Sequence, residues 1–242
     1  MYRRRSVNNL KMKKLILYTL LLTISFSTAQ KKELRSANKF FTSGEYASAL
    51  DLLDSSKEIF DTSDDKIKSQ AMLLYGKLHT AMEDFDLAMK AFDMSKNLGI
   101  SDQLLNTEIS KLETAIITSA IGDNETENFS SAAKKLKMVY DLNKDNNEEY
   151  LYYAASSAVN SKDYSLALEY YELLRDIKYE GIETKFYITD VSSGNEIEIN
   201  SETEFKLLQK SKDYSNPREE ETESKFPEIV KNIALIYKEL DK

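Results

Sequence analysis

The stretch KDYSLALEYYELL, residues 162–174, decides the fold, because three other stretches repeat its pattern: GEYASALDLLDSS (44–56), EDFDLAMKAFDMS (83–95) and, more faintly, ENFSSAAKKLKMV (127–139). Each places an aromatic residue (Tyr46, Phe85, Phe129, Tyr164) three positions before an alanine (Ala49, Ala88, Ala132, Ala167) and seven before a large apolar side chain (Leu53, Phe92, Leu136, Tyr171). On a helix of 3.6 residues per turn, positions i, i+3 and i+7 share one face. Two bulky residues therefore bracket a small one, which lets a second helix approach closely.

The second helix is written in the same register. Nine residues before each aromatic stand Ala37, Gly76, Ala120 and Ala155, all small. The stretches AMLLYGKLHTAM (71–82) and EYLYYAASSAVN (149–160) read as such helices, each leading into a polar turn. The aromatics are spaced 39, 44 and 35 residues apart. A recurring period near 34 with insertions marks a helix-turn-helix repeat, so the spacing predicts four units, each a helix A packed on its own helix B. The third unit departs most, and its helix A is expected to start as early as Ser101 and to absorb the extra residues.

This small-aromatic-alanine pattern resembles the tetratricopeptide repeat (TPR) family over most of residues 30–181. The resemblance implies an all-α helix-turn-helix solenoid, an α-α superhelix of about four repeats.

After Gly181 the pattern changes. ETKFYITDVSSGNEIEIN (183–200) alternates apolar and polar residues around a turn at SSGN, which predicts a β-hairpin. SETEFKLLQKS (201–211) opens with Ser201 and Glu204 at capping-box spacing and predicts a short helix. The stretch 212–225 reads as a polar loop, so 182–226 forms an insertion. From Pro227 the repeat resumes: PEIVKNIALIYKEL places Ala234 at the small position of a helix A, with Pro at a tolerated first turn. Residues 227–242 are expected to be helix A of a further, incomplete repeat, with an apolar face (Val230, Ile233, Ala234, Tyr237) awaiting its partner helix. That face is the expected seat of a docking partner or of self-association.

The amino terminus reads as an export signal. Basic residues precede the apolar run LILYTLLLTISF (15–26), and small Ser27 and Ala29 stand where a signal peptidase requires them, with cleavage expected between Ala29 and Gln30. A run of twelve residues falls well short of the roughly 20 that span hydrocarbon, which argues against a membrane anchor. Residues 1–29 carry six basic residues and no acid, so their removal takes the formal charge from -8 to -14. Such an acidic chain without a basic stripe argues against nucleic-acid binding and against a polybasic membrane contact. The absence of cysteine excludes disulfides, thiol catalysis, cysteine-based metal sites and a lipoprotein anchor.

Catalytic patterns are weak. His79, the only histidine, falls at an interior position of helix A in the second unit and reads as packing. DLNKDNNEEYLY (141–152) has alternating acids and amides, but its sixth and twelfth places, Asn146 and Tyr152, are not the Gly and Glu that a calcium loop demands. Asn124 and Asn128 match the glycosylation pattern without further support. Most of the tyrosines fall at packing positions, so carbohydrate stacking is not favoured, with Tyr152 as the exception. No cofactor is expected, and the chain reads as a non-enzyme.

A closer resemblance is to exported TPR proteins of the Bacteroidota type, carried by MKKL and the run ending AQKKEL (12–34), LYYAASSAVN (151–160), the hairpin at 183–200, and TESK ahead of PEIVKNIALIY (222–237). It implies a periplasmic or cell-envelope location, and relatives with further repeats, so the reading frame is expected to be a truncated part of a larger envelope assembly protein or to end on a capping half-repeat. In TPR proteins the concave groove is lined by helix A residues one place beyond the packed positions. The resemblance therefore implies a protein- or peptide-binding face built from Leu34, Asn38 and Phe41, then Leu73, Lys77 and Thr80, then Ile117 and Ile121, then Tyr152, Ser156 and Val159. Asn38, Phe41, Lys77, Thr80, Tyr152 and Ser156 are the candidate partner-binding residues. Leu34 stands where the carboxylate clamp of chaperone-binding TPR domains carries Lys, so recognition of chaperone tails is not expected.

Overall fold

Four helix-to-helix turns are closed by one hydrogen-bond pattern. In the computed structural model, which describes residues 30–240, the residue two places before each repeat aromatic is left-handed: Gly44 (φ 78°), Glu83 (φ 62°), Glu127 (φ 60°) and Lys162 (φ 62°). At the second of these turns the Glu83 N–H donates to the Thr80 carbonyl at 3.2 Å and the Asp84 N–H to the His79 carbonyl at 2.8 Å, and the same pair recurs at the other three. This is a Schellman ending, which satisfies the last carbonyls of helix A and aims the chain back along it. A left-handed backbone is free for Gly44 but costs roughly 1–2 kcal/mol for a residue with a Cβ.

The helices follow from this punctuation. They are α1 (30–42), α2 (Tyr46–Ser55), α3 (Lys57–Asp61), α4 (Asp65–Ala81), α5 (Phe85–Asn97), α6 (Asp102–Glu125), α7 (Phe129–Leu142), α8 (Glu148–Asn160), α9 (Tyr164–Asp176), α10 (Glu202–Leu208) and α11 (Phe226–Leu240). The chain is mostly helical, built of packed helical hairpins, and carries a small β insertion. The long helix expected for the third repeat is α6, with 24 residues. The expected export signal lies outside the described residues.

The described residues divide into two compact units, 30–119 and 120–240. In the first, α4 packs on α5 and on α2 and α3. Ala37, Ala49 and Leu53 share a core with Phe60, Leu74 and Leu78. Gly76 lies directly beneath Phe92: a methyl group there would sit 2.3 Å from the ring's Cε1. Ser95 is fully buried and donates its hydroxyl to the Ser69 carbonyl at 2.8 Å, tying α5 to α4.

In the second unit α7 packs on α8, α8 on α9 and α9 on α11. Ala120, Leu136, Ala155, Ala167 and Tyr171 join one core with Ile229, Ile233 and Ile236. Two polar anchors support it: the Asn147 amide donates to the Val139 carbonyl at 2.8 Å, and Lys135 pairs with Asp123 at 2.7 Å. Burial works to raise the Asp123 pKa, but hydrogen bonds from Lys135 and Ser131 and the Lys135 charge outweigh it and hold the carboxyl below its usual range.

α11 leaves most of the expected face open and carries a second apolar face beside it. Its buried stripe is Ile229, Ile233 and Ile236, packed with α9, while Val230, Ala234 and Tyr237 stay exposed. A helix A has two apolar neighbours, the preceding helix B and its own. Aligning on Ala234 finds the side meant for its own helix B. The isoleucines serve α9 instead, fixed by Asn232 donating to the Tyr171 hydroxyl (3.1 Å) and Tyr237 donating to Glu172 (2.8 Å).

The insertion is a three-stranded antiparallel sheet of order β2-β1-β3, with β1 at Thr184–Asp190, β2 at Glu196–Ile199 and β3 at Tyr214–Glu221. The β1–β2 hairpin forms as the alternation predicts, with Phe186 opposite Ile199 and Ile188 opposite Ile197. Ser201 caps α10 as expected, accepting from the Glu204 N–H. The expected polar loop at 212–225 instead contains β3. Its run of glutamates and Pro217 hides the strand, yet Pro and charge are what an edge strand tolerates. Arg218 supplies the pairing, stacked 4.2 Å from the Tyr187 ring centroid and bonded to Glu196 at 3.0 Å. Ile188, Ile199 and Phe205 form a separate small core with Phe186, Leu208 and Tyr214.

Candidate functional site

Packing consumes one face of each helix A and leaves the next face outward. In the first unit that outward face forms a hollow of about 330 Å³ lined by Leu34, Arg35 and Asn38 of α1, by Gln70, Leu73, Leu74 and Lys77 of α4, and by Ile100 and Leu104. The structure therefore brings Asn38 and Lys77 together. Phe41 stands behind them rather than in the lining. Its ring lies 4.7 Å from the Lys77 ammonium and 5.6 Å from the Tyr46 ring, so it positions the lysine and staples the α1–α2 turn. Thr80 is spoken for, since its hydroxyl donates to the Gly76 carbonyl at 2.8 Å within α4.

The second unit has its own hollow, about 380 Å³, lined by Ser156 and Val159 of α8, Tyr164 and Tyr171 of α9, and Glu228, Asn232 and Leu235 of α11 with the Lys238 and Glu239 rim. Ser156 thus faces a cleft. Tyr152 is engaged elsewhere: its hydroxyl donates to Glu228 at 3.0 Å, its ring lies 6.5 Å from Tyr171 and 6.2 Å from Tyr179, and the Lys225 ammonium stands 5.2 Å above it. Burial, then the bond to Glu228, push its hydroxyl pKa well up. Lys225 itself is held by Glu183 at 2.9 Å, joining the insertion to the tyrosine cluster. Ile117 is half-buried and Ile121 exposed.

For the first hollow, sequence reasoning missed Arg35, Gln70, Leu74, Ile100 and Leu104. Arg35 was detectable, because it stands three residues before Asn38 on the same helical face. Ile100 and Leu104 come from the link into α6, where the repeat pattern is silent.

His79 lies 3.5 Å from Asp84 and stacks on Tyr75 at 6.3 Å, which is a turn-locking position. Among the described residues no group of three acids or histidines is arranged to hold a metal ion, and no helix is long and apolar enough to cross a membrane.

Among solved structures the chain is similar to Pseudomonas aeruginosa PilF, from a structure titled as its functional characterization, at 11% identity over 63% of this chain and 78% of that one, with a TM-score of 0.29. No family model and no curated protein matches the chain.

Proposed function

We propose that the chain is a non-catalytic protein-interaction scaffold of the periplasm or cell envelope, which binds a protein or peptide segment on the exposed faces of its A helices. One observation carries the reading: where a helix A buries a small residue against its helix B, the next residue faces away from that contact, and Asn38 and Lys77 in the first unit and Ser156 in the second line hollows of mixed apolar and polar character. That mixture suits a polypeptide, whose backbone needs hydrogen bonds and whose side chains need apolar seats. The export signal read in residues 1–29 supports the location, and the repeat architecture supports a scaffold.

The test is a cross-linked pull-down from an envelope fraction with the tagged chain beside an Asn38→Glu/Ser156→Glu variant of unchanged helicity. Phe41 and Tyr152 are unsuitable targets, because both hold packing. A protein captured by the parent and lost with the variant supports the reading. Equal capture by both removes the A-helix faces as the binding surface.

A second reading has an observation of its own. On α11 the stripe Val230, Ala234 and Tyr237 is exposed although it matches the face that helix B covers in the four preceding repeats. Docking of an assembly partner or self-association through this helix and the insertion follows from that stripe. A concentration-dependent mass by light scattering, abolished by Ala234→Glu, would support self-association, and a monomer at all concentrations would remove it.

A further inference from the structure

We propose that the hollow of the first unit receives an internal peptide segment in which a glutamate or aspartate is flanked by aliphatic side chains, a specificity that rests on the A-helix reading above. The chain as a whole is acidic, with 41 acidic against 33 basic side chains. Yet no carboxylate lines this hollow, and its two charges are both cationic, Arg35 and Lys77.

Neither cation is neutralised from within. Lys111, Lys135, Lys137, Lys144, Lys185, Lys206, Lys225, Arg175 and Arg218 each meet an acid within 4.0 Å, whereas among the described residues Arg35 and Lys77 meet none. Many solvated lysines also lack a partner, so the setting decides. Lys77 is half-buried, and its ammonium is fixed over the Phe41 ring instead of sweeping through solvent. A cation so placed has already lost much of its conformational freedom and loses less on pairing.

The rest of the lining sets the remaining chemistry. Leu34, Leu73, Ile100 and Leu104 offer aliphatic seats, and Leu104 is 53% exposed, a large apolar side chain left in water. Asn38 and Gln70 are exposed amides that can each donate and accept, which matches the alternating carbonyl and N–H of a continuing main chain. Aliphatic walls beside two cations also lower the local dielectric, which strengthens a carboxylate contact.

The experiment is selection of a displayed library of random dodecapeptides, held internally so that no free carboxyl terminus is presented, against the full chain and against Arg35→Gln/Lys77→Gln. The expected result is enrichment of Glu or Asp beside Leu, Ile, Val or Phe with the parent chain and its loss with the double variant. The selected peptide, made with blocked ends, then weakens about tenfold for each cation removed. Its affinity also falls as ionic strength rises from about 0.05 to about 0.5 M. Enrichment without acids, identical enrichment with the double variant, or no enrichment would each overturn the proposal. A non-acidic family lost on Asn38→Glu would overturn this specificity while leaving the A-helix faces as a binding surface.

Discussion

The helical repeats and the inserted sheet solve the same problem, burying apolar surface, with opposite degrees of redundancy. Each repeat carries the small-against-large contact and the left-handed turn, so the core is distributed over many equivalent sites: Ala37 with Leu53, Gly76 with Phe92, Ala120 with Leu136, Ala155 with Tyr171. The sheet relies on Ile188, Ile199 and Phe205 with a few half-buried neighbours. Loss of one contact should therefore be local and graded in the repeats and catastrophic in the insertion.

Phe205→Ala tests the contrast at its widest. Phe205 is 1% exposed, and removing a buried ring costs about 3–5 kcal/mol. A module with so small a core does not hold that reserve. Hydrogen exchange should show loss of protection across β1–β3 while α8 and α9 keep theirs; retained sheet protection would mean that the insertion borrows stability from elsewhere.

Gly76→Ala probes the tightest repeat contact. The new methyl meets the Phe92 ring, and overpacking of about 1–3 kcal/mol outweighs the gain of about 1 kcal/mol in helix propensity. Urea denaturation should therefore give a lower midpoint, and a higher one would show that the ring swings aside at little cost.

Asp123→Asn removes a helix-bridging pair, with an expected loss of about 1 kcal/mol at neutral pH. The carboxyl's pKa is depressed in the folded chain, so its contribution is complete above the unfolded value of about 4 and disappears as pH falls through the lower folded value. The gap in stability between parent and variant should hold from pH 7 to about 5 and close toward pH 3; a gap independent of pH would assign the loss to packing.

Lys162→Gly should do the reverse of all three and stabilise by about 1 kcal/mol, because it relieves a left-handed residue. Gly44→Ala should lose a similar amount. Equal melting temperatures across this pair would mean that the turn relaxes.

The same redundancy explains what the sequence made legible. Four copies of aromatic, alanine and bulky residue fixed the helix pairs before any coordinate, because a pattern at 3, 7 and -9 positions has few other physical meanings. The sheet's third strand had one copy and no alternation: Tyr214–Glu221 reads as charge until Arg218 is seen stacked on Tyr187. The candidate site was half legible. Asn38, Lys77 and Ser156 follow from helical phase, whereas the tying down of Tyr152 by Glu228 depends on a residue 76 positions away, and the closure of the first hollow depends on Ile100 and Leu104, which no repeat rule places.

The most direct test of the scaffold reading is site-specific photo-cross-linking in envelope preparations, with a benzophenone side chain placed singly at Asn38, Lys77 and Ser156 and at Asp93 and Glu169, which are exposed on B helices. Adducts to one partner from Asn38, Lys77 and Ser156, and none from Asp93 and Glu169, are the predicted result. Adducts from Asp93 and Glu169 alone would contradict it and place the partner on the opposite kind of helix.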